Sequence, residues 1–215
     1  LAAPSSNMQW LNKITQVFKI PDLRKKILFV LGIFAVFRLM TSIPMPGIEA
    51  ENLKAFFDQF QMFGLLNLFT GGTLSNLSIA MLGLGPYITA TIIMQLLTMI
   101  FPPLEKLYKE EGEQGRQKFN QYSRILTVPL GMLQAYAMLN LFQRQGAIGD
   151  LSPITILVSI VSVAAGCVLL MWLGELITER GIGNGVSLLI FAGIVASVPE
   201  NILQIVAKWD PSQLP

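Results

Sequence analysis

The apolar residues of this chain fall into long uncharged runs separated by short polar stretches, and the run lengths decide which elements to expect. The run at 27–43 ends at Pro44 and Pro46, and a second at 77–101 ends at Pro102 and Pro103. A third covers 122–142 and is uncharged from 125 onward. A fourth lies at 153–174, within an uncharged stretch that begins at 151, and a fifth runs over 186–207 with Pro199 and Glu200 late in it. About 20 apolar residues cross a bilayer as a helix, so each run predicts a span. The apolar piece at 63–72 is different, because Gly71 and Gly72 stop it early. At 1.5 Å per residue it covers about 10–15 Å, half a bilayer. It predicts a short re-entrant helix.

Ahead of the first run, Trp10, Leu11, Ile14, Val17 and Phe18 recur at helical spacing beside Lys13 and Lys19. That pattern predicts an amphipathic helix lying in the membrane interface and ended by Pro21. Residues 8–26 then form a basic segment, and 1–7 read as an unstructured tail or a cloning remnant. The stretch 49–61 reads as an exposed loop or surface helix, 105–124 as a charged, glycine-containing loop, and 175–185 as a polar, glycine-rich turn. The expected fold is all-α: a polytopic membrane bundle of five transmembrane helices, plus the re-entrant helix and the amphipathic N-terminal helix.

Composition removes the soluble alternative. Hydrophobic residues make up 53% of the chain and charged residues 13%, with a mean hydropathy of +0.58. Soluble domains are about 25% charged, and a chain this short cannot hide so much apolar surface in a core of its own. Charge distribution then orients the spans. Lys13, Lys19, Arg24, Lys25, Lys26, Lys106, Lys109, Arg116, Lys118, Arg124 and Arg180 fall on one side, while Lys54, Arg144 and Lys208 fall on the other. By the positive-inside rule the N-terminus and the loops after spans two and four are cytoplasmic.

Three features depart from plain lipid-facing helix. Arg38 lies within the first span, at a cost of about 2.5–3.5 kcal/mol for arginine at a helix centre. It faces a water-filled vestibule or snorkels past Pro44 to the interface. Gly83-Leu84-Gly85-Pro86 weakens the second span, since proline removes a donor and glycine costs helix stability. Broken backbone at membrane depth is tolerated only where protein or a water cavity covers it. Finally, 178–185 holds Gly181, Gly183 and Gly185. No strand precedes it and no lysine follows the last glycine, so the phosphate-loop pattern fails and a tight turn remains.

Catalytic chemistry finds no support. The chain has no histidine and one cysteine, Cys167, which excludes intrachain disulfides, Cys/His zinc sites and imidazole mechanisms. Ser75, Ser78, Ser159, Ser162 and Ser187 have no histidine partner and read as helix-packing residues. Only Glu175 and Glu200 approach the apolar runs, so no acid pair is evident. Neither a cofactor nor a metal is expected. The net charge of +2 is too small for nucleic acid to be a substrate.

Five stretches together resemble the SecY family of protein translocation channels: IPMPGI (43–48), NLFTGGTLSNLSI (67–79), GLGPYITATIIMQLL (83–97), EGEQGRQKFNQYSR (111–124) and MWLGELITERGIGNGVSLLIFAGIVA (171–196). The resemblance implies spans one to five of a ten-span channel whose two pseudo-symmetric halves close around a pore. It places a plug helix on Phe63, Gly64, Leu65, Leu66, Asn67, Leu68, Phe69, Thr70, Gly71 and Gly72. It also places pore-ring aliphatics on Leu84, Ile88, Ile190 and Ile194, and a lateral gate at Pro86 and Thr89. A ring of bulky aliphatics seals by dewetting and yields to a passing chain; outside this family the same residues would read as core or lipid-facing.

The implied cytoplasmic partner loops carry Lys106, Lys109, Arg116 and Lys118, then Arg180, Gly181, Gly183, Asn184 and Gly185. They would face a ribosome or a motor ATPase. Further implied partners are SecE-type and SecG-type small membrane subunits, signal sequences and nascent polypeptide, and the lipid bilayer of the cytoplasmic (inner) membrane. The rival reading is half of a small-solute transporter or a membrane assembly scaffold. Apart from Glu200 near the end of the fifth, the spans hold no acidic residue, which counts against ion coupling.

Overall fold

A computed structural model describes residues 20–45, 77–109 and 112–207, with the backbone alone for 197 and 199–207. The expected plug at 63–72, the amphipathic helix up to residue 19 and the stretch 49–61 lie outside the described residues. Among the described residues the regular structure is helical, apart from one isolated bridge between Pro44 and Ser78.

The first helix, α1 (Pro21–Thr41), begins where an interfacial helix was expected to end. Proline terminates a helix only from the inside. At the first position its missing N–H is one of the four that have no partner anyway. Ile20 is extended, as a residue before proline prefers, and its carbonyl accepts from Arg24 N at 3.1 Å. Val30, Ile33, Phe37 and Met40 recur at three- and four-residue spacing and form the buried face of α1. At its end, the Thr41 and Ser42 hydroxyls donate to the Arg38 carbonyl at 2.7 and 3.1 Å.

The second apolar run is helical only from Gly85, giving α2 (Gly85–Ile100). Residues 77–84 instead form successive tight turns, with Met81 N donating to Ser78 O, Gly83 N to Ala80 O and Gly85 N to Leu82 O at 2.8–3.1 Å. Gly83 has φ +56° and Leu77 φ +42°. The first suits glycine, whereas the second is uncommon for a bulky residue. This segment is anchored on both sides. Met45 N donates to Leu77 O at 2.8 Å and Ile79 N to Ile43 O at 3.1 Å. On the far side a Cβ at Gly166 would strike the Ile79 carbonyl, so a glycine lets the neighbouring helix pass.

Phe101 breaks the helix, and α3 (Pro102–Lys109) leaves at 111° to α2. The stretch 112–124, expected as loop, is the start of α4 (Gly112–Arg144). Gly112, with φ +59°, takes up the turn before it. Gly115, Phe119, Ser123, Thr127, Gly131, Ala135 and Leu139 are buried at every fourth position, and that uninterrupted stripe holds the helix together from its first turn. Next, α5 (Pro153–Arg180) starts with Ser152 as N-cap, accepting Thr155 N at 3.2 Å, and Pro153 in the first turn. It continues past the expected end of the fourth span at 174. The last helix is α6 (Gly185–Ala207).

The packing order is α2 on α4, α4 on α5 and α5 on α6, with α3 against α4 and α1 laid over α5 and α6. Two apolar clusters result. One joins Met45, Leu77 and Met81 to α4 and α5 through Ala135, Leu139, Phe142, Val163 and Cys167. The other joins α1, α5 and α6 to Ala80 and Leu84 of the turn segment. By length and composition α4 and α5 can each cross a membrane, and the bent pair α2 and α3 would make a third span. An all-helical fold with two to three such elements is the coarser form of the expected five-span bundle.

Candidate functional site

The turn segment 77–84 and the start of α2 gather the residues marked in the sequence. Leu84 is the residue just ahead of α2, and its carbonyl accepts Ile88 N at 3.0 Å, so the two still share one turn. Leu84 is buried in the cluster of Val30, Ile33, Phe37, Leu170 and Leu189, and Ile190 of α6 packs against the same cluster. Two of the four expected ring positions thus share one apolar cluster. Ile88 is not: it stands 37% exposed on α2. Ile194 lies one turn beyond Ile190, half-buried.

Pro86 is fully buried, and a Cβ at Gly131 of α4 would lie 3.8 Å from the Pro86 Cβ. Proline therefore sits in the first turn of α2, where it costs no hydrogen bond, and packs on a glycine of the next helix. Half-buried Thr89 donates to the Gly85 carbonyl at 3.0 Å. Of the two expected gate residues, Pro86 packs on α4, while the Thr89 hydroxyl bonds within α2.

The 178–185 turn is closed by one side chain. Thr178 Oγ1 donates to the Gly174 carbonyl at 3.0 Å and accepts Gly185 N at 2.9 Å. Gly185 is pressed against Gly174, where a Cβ would collide with the Gly174 carbonyl. Asn184 caps α6, its Oδ1 accepting Ser187 N at 3.1 Å. Gly183 has φ +73°, and Gly181 packs on Val30 of α1, which a Cβ would approach to 2.9 Å. Each glycine and the asparagine has a local duty in a compact turn, and Arg180 lies exposed at its entry.

The other basic residues are not in a loop. Lys106 and Lys109 belong to α3, and Arg116 and Lys118 to α4. Lys109 donates to Glu105 Oε1 at 2.8 Å, one turn away. That hydrogen bond and the ammonium charge hold the Glu105 carboxyl below its ordinary pKa, and the same bond and the carboxylate charge raise that of Lys109. Tyr108 packs on Phe119 with the rings tilted at 54° and 4.9 Å between centroids, tying α3 to α4.

Arg38 is exposed near the end of α1 and lines a groove of about 420 Å³ between α1 and α6, with Phe34, Phe37 and Phe191. One pairing was missed in the sequence. Arg124 Nε donates to Glu175 Oε1 at 2.7 Å, joining α4 to α5 across 51 residues. No local pattern flags a pair so far apart. Among the described residues no group of three or more potential metal ligands occurs.

The family model described as SecY matches residues 78–213. The protein translocase subunit SecY of Streptomyces scabiei is 44% identical over 214 residues, covering 93% of this chain and 49% of that protein. The Bacillus licheniformis protein of the same name is 45% identical over 198 residues, 91% of this chain and 46% of its own. The chain spans about half the length of the curated relatives it matches. Among solved structures, one described as a protein conducting channel aligns with a TM-score of 0.57 at 22% identity, over 84% of this chain and 40% of that one. The Sec61 chain of a canine ribosome-channel complex from the endoplasmic reticulum gives the same values. Those two likenesses concern the fold.

Proposed function

The chain belongs to the SecY family, and on that premise we propose that it forms the N-terminal half of a protein-conducting channel. In this reading it supplies one wall of the conduit through which secretory proteins cross, and from which membrane proteins enter, the cytoplasmic membrane. The observation that carries it is the broken second span. Backbone that leaves the helix at 77–84 is covered by α1, α5 and α6 and brings Leu84 beside the cluster that Ile190 joins. Irregular backbone at membrane depth belongs where protein or a water-filled cavity covers it.

On this reading the bundle has five spans with its N-terminus in the cytoplasm. Leu84, Ile88, Ile190 and Ile194 form half of an aliphatic seal, which a second half completes. Residues 63–72 serve as the plug, and Pro86 and Thr89 stand on the gate side. The faces of α3 and α4 around Lys106–Lys118, with the 178–185 turn, receive a ribosome or a motor ATPase. SecE-type and SecG-type subunits pack on the periphery. The chain performs no bond chemistry. Energy comes from the partner.

The reading is tested by complementation. Co-expressed with a matching C-terminal half in a SecY-depleted strain, this chain is expected to restore export of a signal-bearing reporter, and alone it is expected to restore none. Export by this chain alone, or none from the assembled pair, would contradict the half-channel and favour the transporter or scaffold reading.

A further inference from the structure

The contact between α4 and α5 changes character along its length. Toward the end of α4 it is a filled apolar core around Leu139, Phe142 and Val163. Midway, Gly131 touches Ala164, to which a Cβ would come within 3.9 Å. On the side of that contact facing out, the helices part to leave an apolar groove of about 400 Å³ between Val128 and Met132 on one helix and Val168 and Trp172 on the other. One turn farther, the Arg124–Glu175 ion pair spans the gap at 2.7 Å, with the glutamate side chain only 16% exposed.

The backbone of α4 weakens at the same level. Pro129 lies inside the helix and removes the hydrogen bond its N–H would have made to residue 125. Two residues before it, Thr127 Oγ1 donates to the Ser123 carbonyl at 2.7 Å, and one turn earlier Ser123 Oγ donates to that of Phe119 at 3.1 Å. Such back-bonds bend helices, and sharp kinks concentrate at proline.

From this geometry we propose a latched arm. The first part of α4, carrying α3 through the Tyr108–Phe119 contact, pivots at Pro129, and the Arg124–Glu175 pair holds it closed against α5. Breaking the pair frees the arm to swing outward about the Gly131–Ala164 contact. The device rests on the geometry of α3, α4 and α5 and not on the pore positions, so it stands or falls separately from the half-channel reading.

From Pro129 to Gln117 the arm is about 18 Å long at 1.5 Å per residue. A proline kink of about 20° therefore moves its tip about 6 Å. The test places spin labels at Gln117→Cys and Ile182→Cys in the assembled channel, otherwise cysteine-free with Cys167→Ala, and reads their distance by pulsed electron resonance. The unaltered pair is expected to give one narrow distribution. Arg124→Gln should add a population longer by about 6 Å, Glu175→Asp a smaller one, and Arg124→Glu with Glu175→Arg should restore the narrow peak. Adding Pro129→Ala to Arg124→Gln should also narrow it, because the hinge is gone. An unchanged distribution in Arg124→Gln overturns the latch. A distribution that stays broad after Pro129→Ala overturns the hinge.

Discussion

Gly166 lies where α5 presses on the turn segment, and Gly166→Ala measures how firmly that segment is held. The added Cβ would collide with the Ile79 carbonyl oxygen and lie 2.9 Å from its carbon. Both atoms are backbone, fixed by the Ile79 N–H bond to Ile43 and by the turns that follow, so no side chain can rotate out of the way. Overpacking costs typically 1–3 kcal/mol, and an unyielding backbone puts this site near about 3. Replacing glycine by alanine inside a helix returns about 1 kcal/mol. The net loss is about 2 kcal/mol. For a domain of 150–250 residues each kcal/mol moves Tm by about 2–4 °C, and about half that for an assembly twice the size, so thermal unfolding of the assembled channel in detergent should fall by about 2–4 °C. Gly32→Ala is the control, since nothing lies within 4 Å of a Cβ there, and it should leave Tm unchanged or raise it. Equal Tm values for the two variants would refute the claim that α5 pins the turn segment by close backbone approach.

Ser159 is fully buried and, among the described residues, its hydroxyl has no hydrogen-bond partner. Ser159→Ala should therefore be neutral or stabilising by up to about 1 kcal/mol, and a lowered Tm would reveal a bond that this account lacks. Asn184→Ala should remove the α6 cap at about 1 kcal/mol and speed amide exchange at Ser187, whereas Asn184→Asp should keep both. The depressed Glu105 pKa means that the Lys109 contact is present above the unfolded carboxylate pKa and is lost as pH falls through the folded value. The protection of the α3 amides, taken relative to their intrinsic exchange rate at each pH, should therefore fall in acid, and Glu105→Gln should flatten that pH response.

Much of the fold was legible because local chemistry dictates it. The uncharged run at 153–174 marks most of α5, and Gly83-Leu84-Gly85-Pro86 marks the place where the second span leaves the helix. The three glycines of 178–185 mark the turn. What misled was chemistry whose sign depends on position. Pro21 ends a helix from within but opens one at its first position, and the pattern around it does not say which. Glycines 112 and 115 suggested a loop, yet one supplies the positive φ before α4 and the other lies on the buried stripe of α4. The Arg124–Glu175 pair was out of reach for a different reason: it depends on how α4 packs on α5, which no window of sequence contains. Likewise the ring positions are spaced four apart in the sequence, but only the packing shows Leu84 and Ile190 at one apolar cluster and Ile88 exposed.

The central claim is that Leu84, Ile88, Ile190 and Ile194 border the path of a translocating chain. It is tested most directly by stalling a secretory protein in the assembled channel and crosslinking it to single cysteines at these four positions, with Leu133, 64% exposed on α4 and not one of the ring positions, as the comparison. Strong adducts are expected at all four and none at Leu133. Adducts at Leu133 alone, or at none of the five, would contradict it.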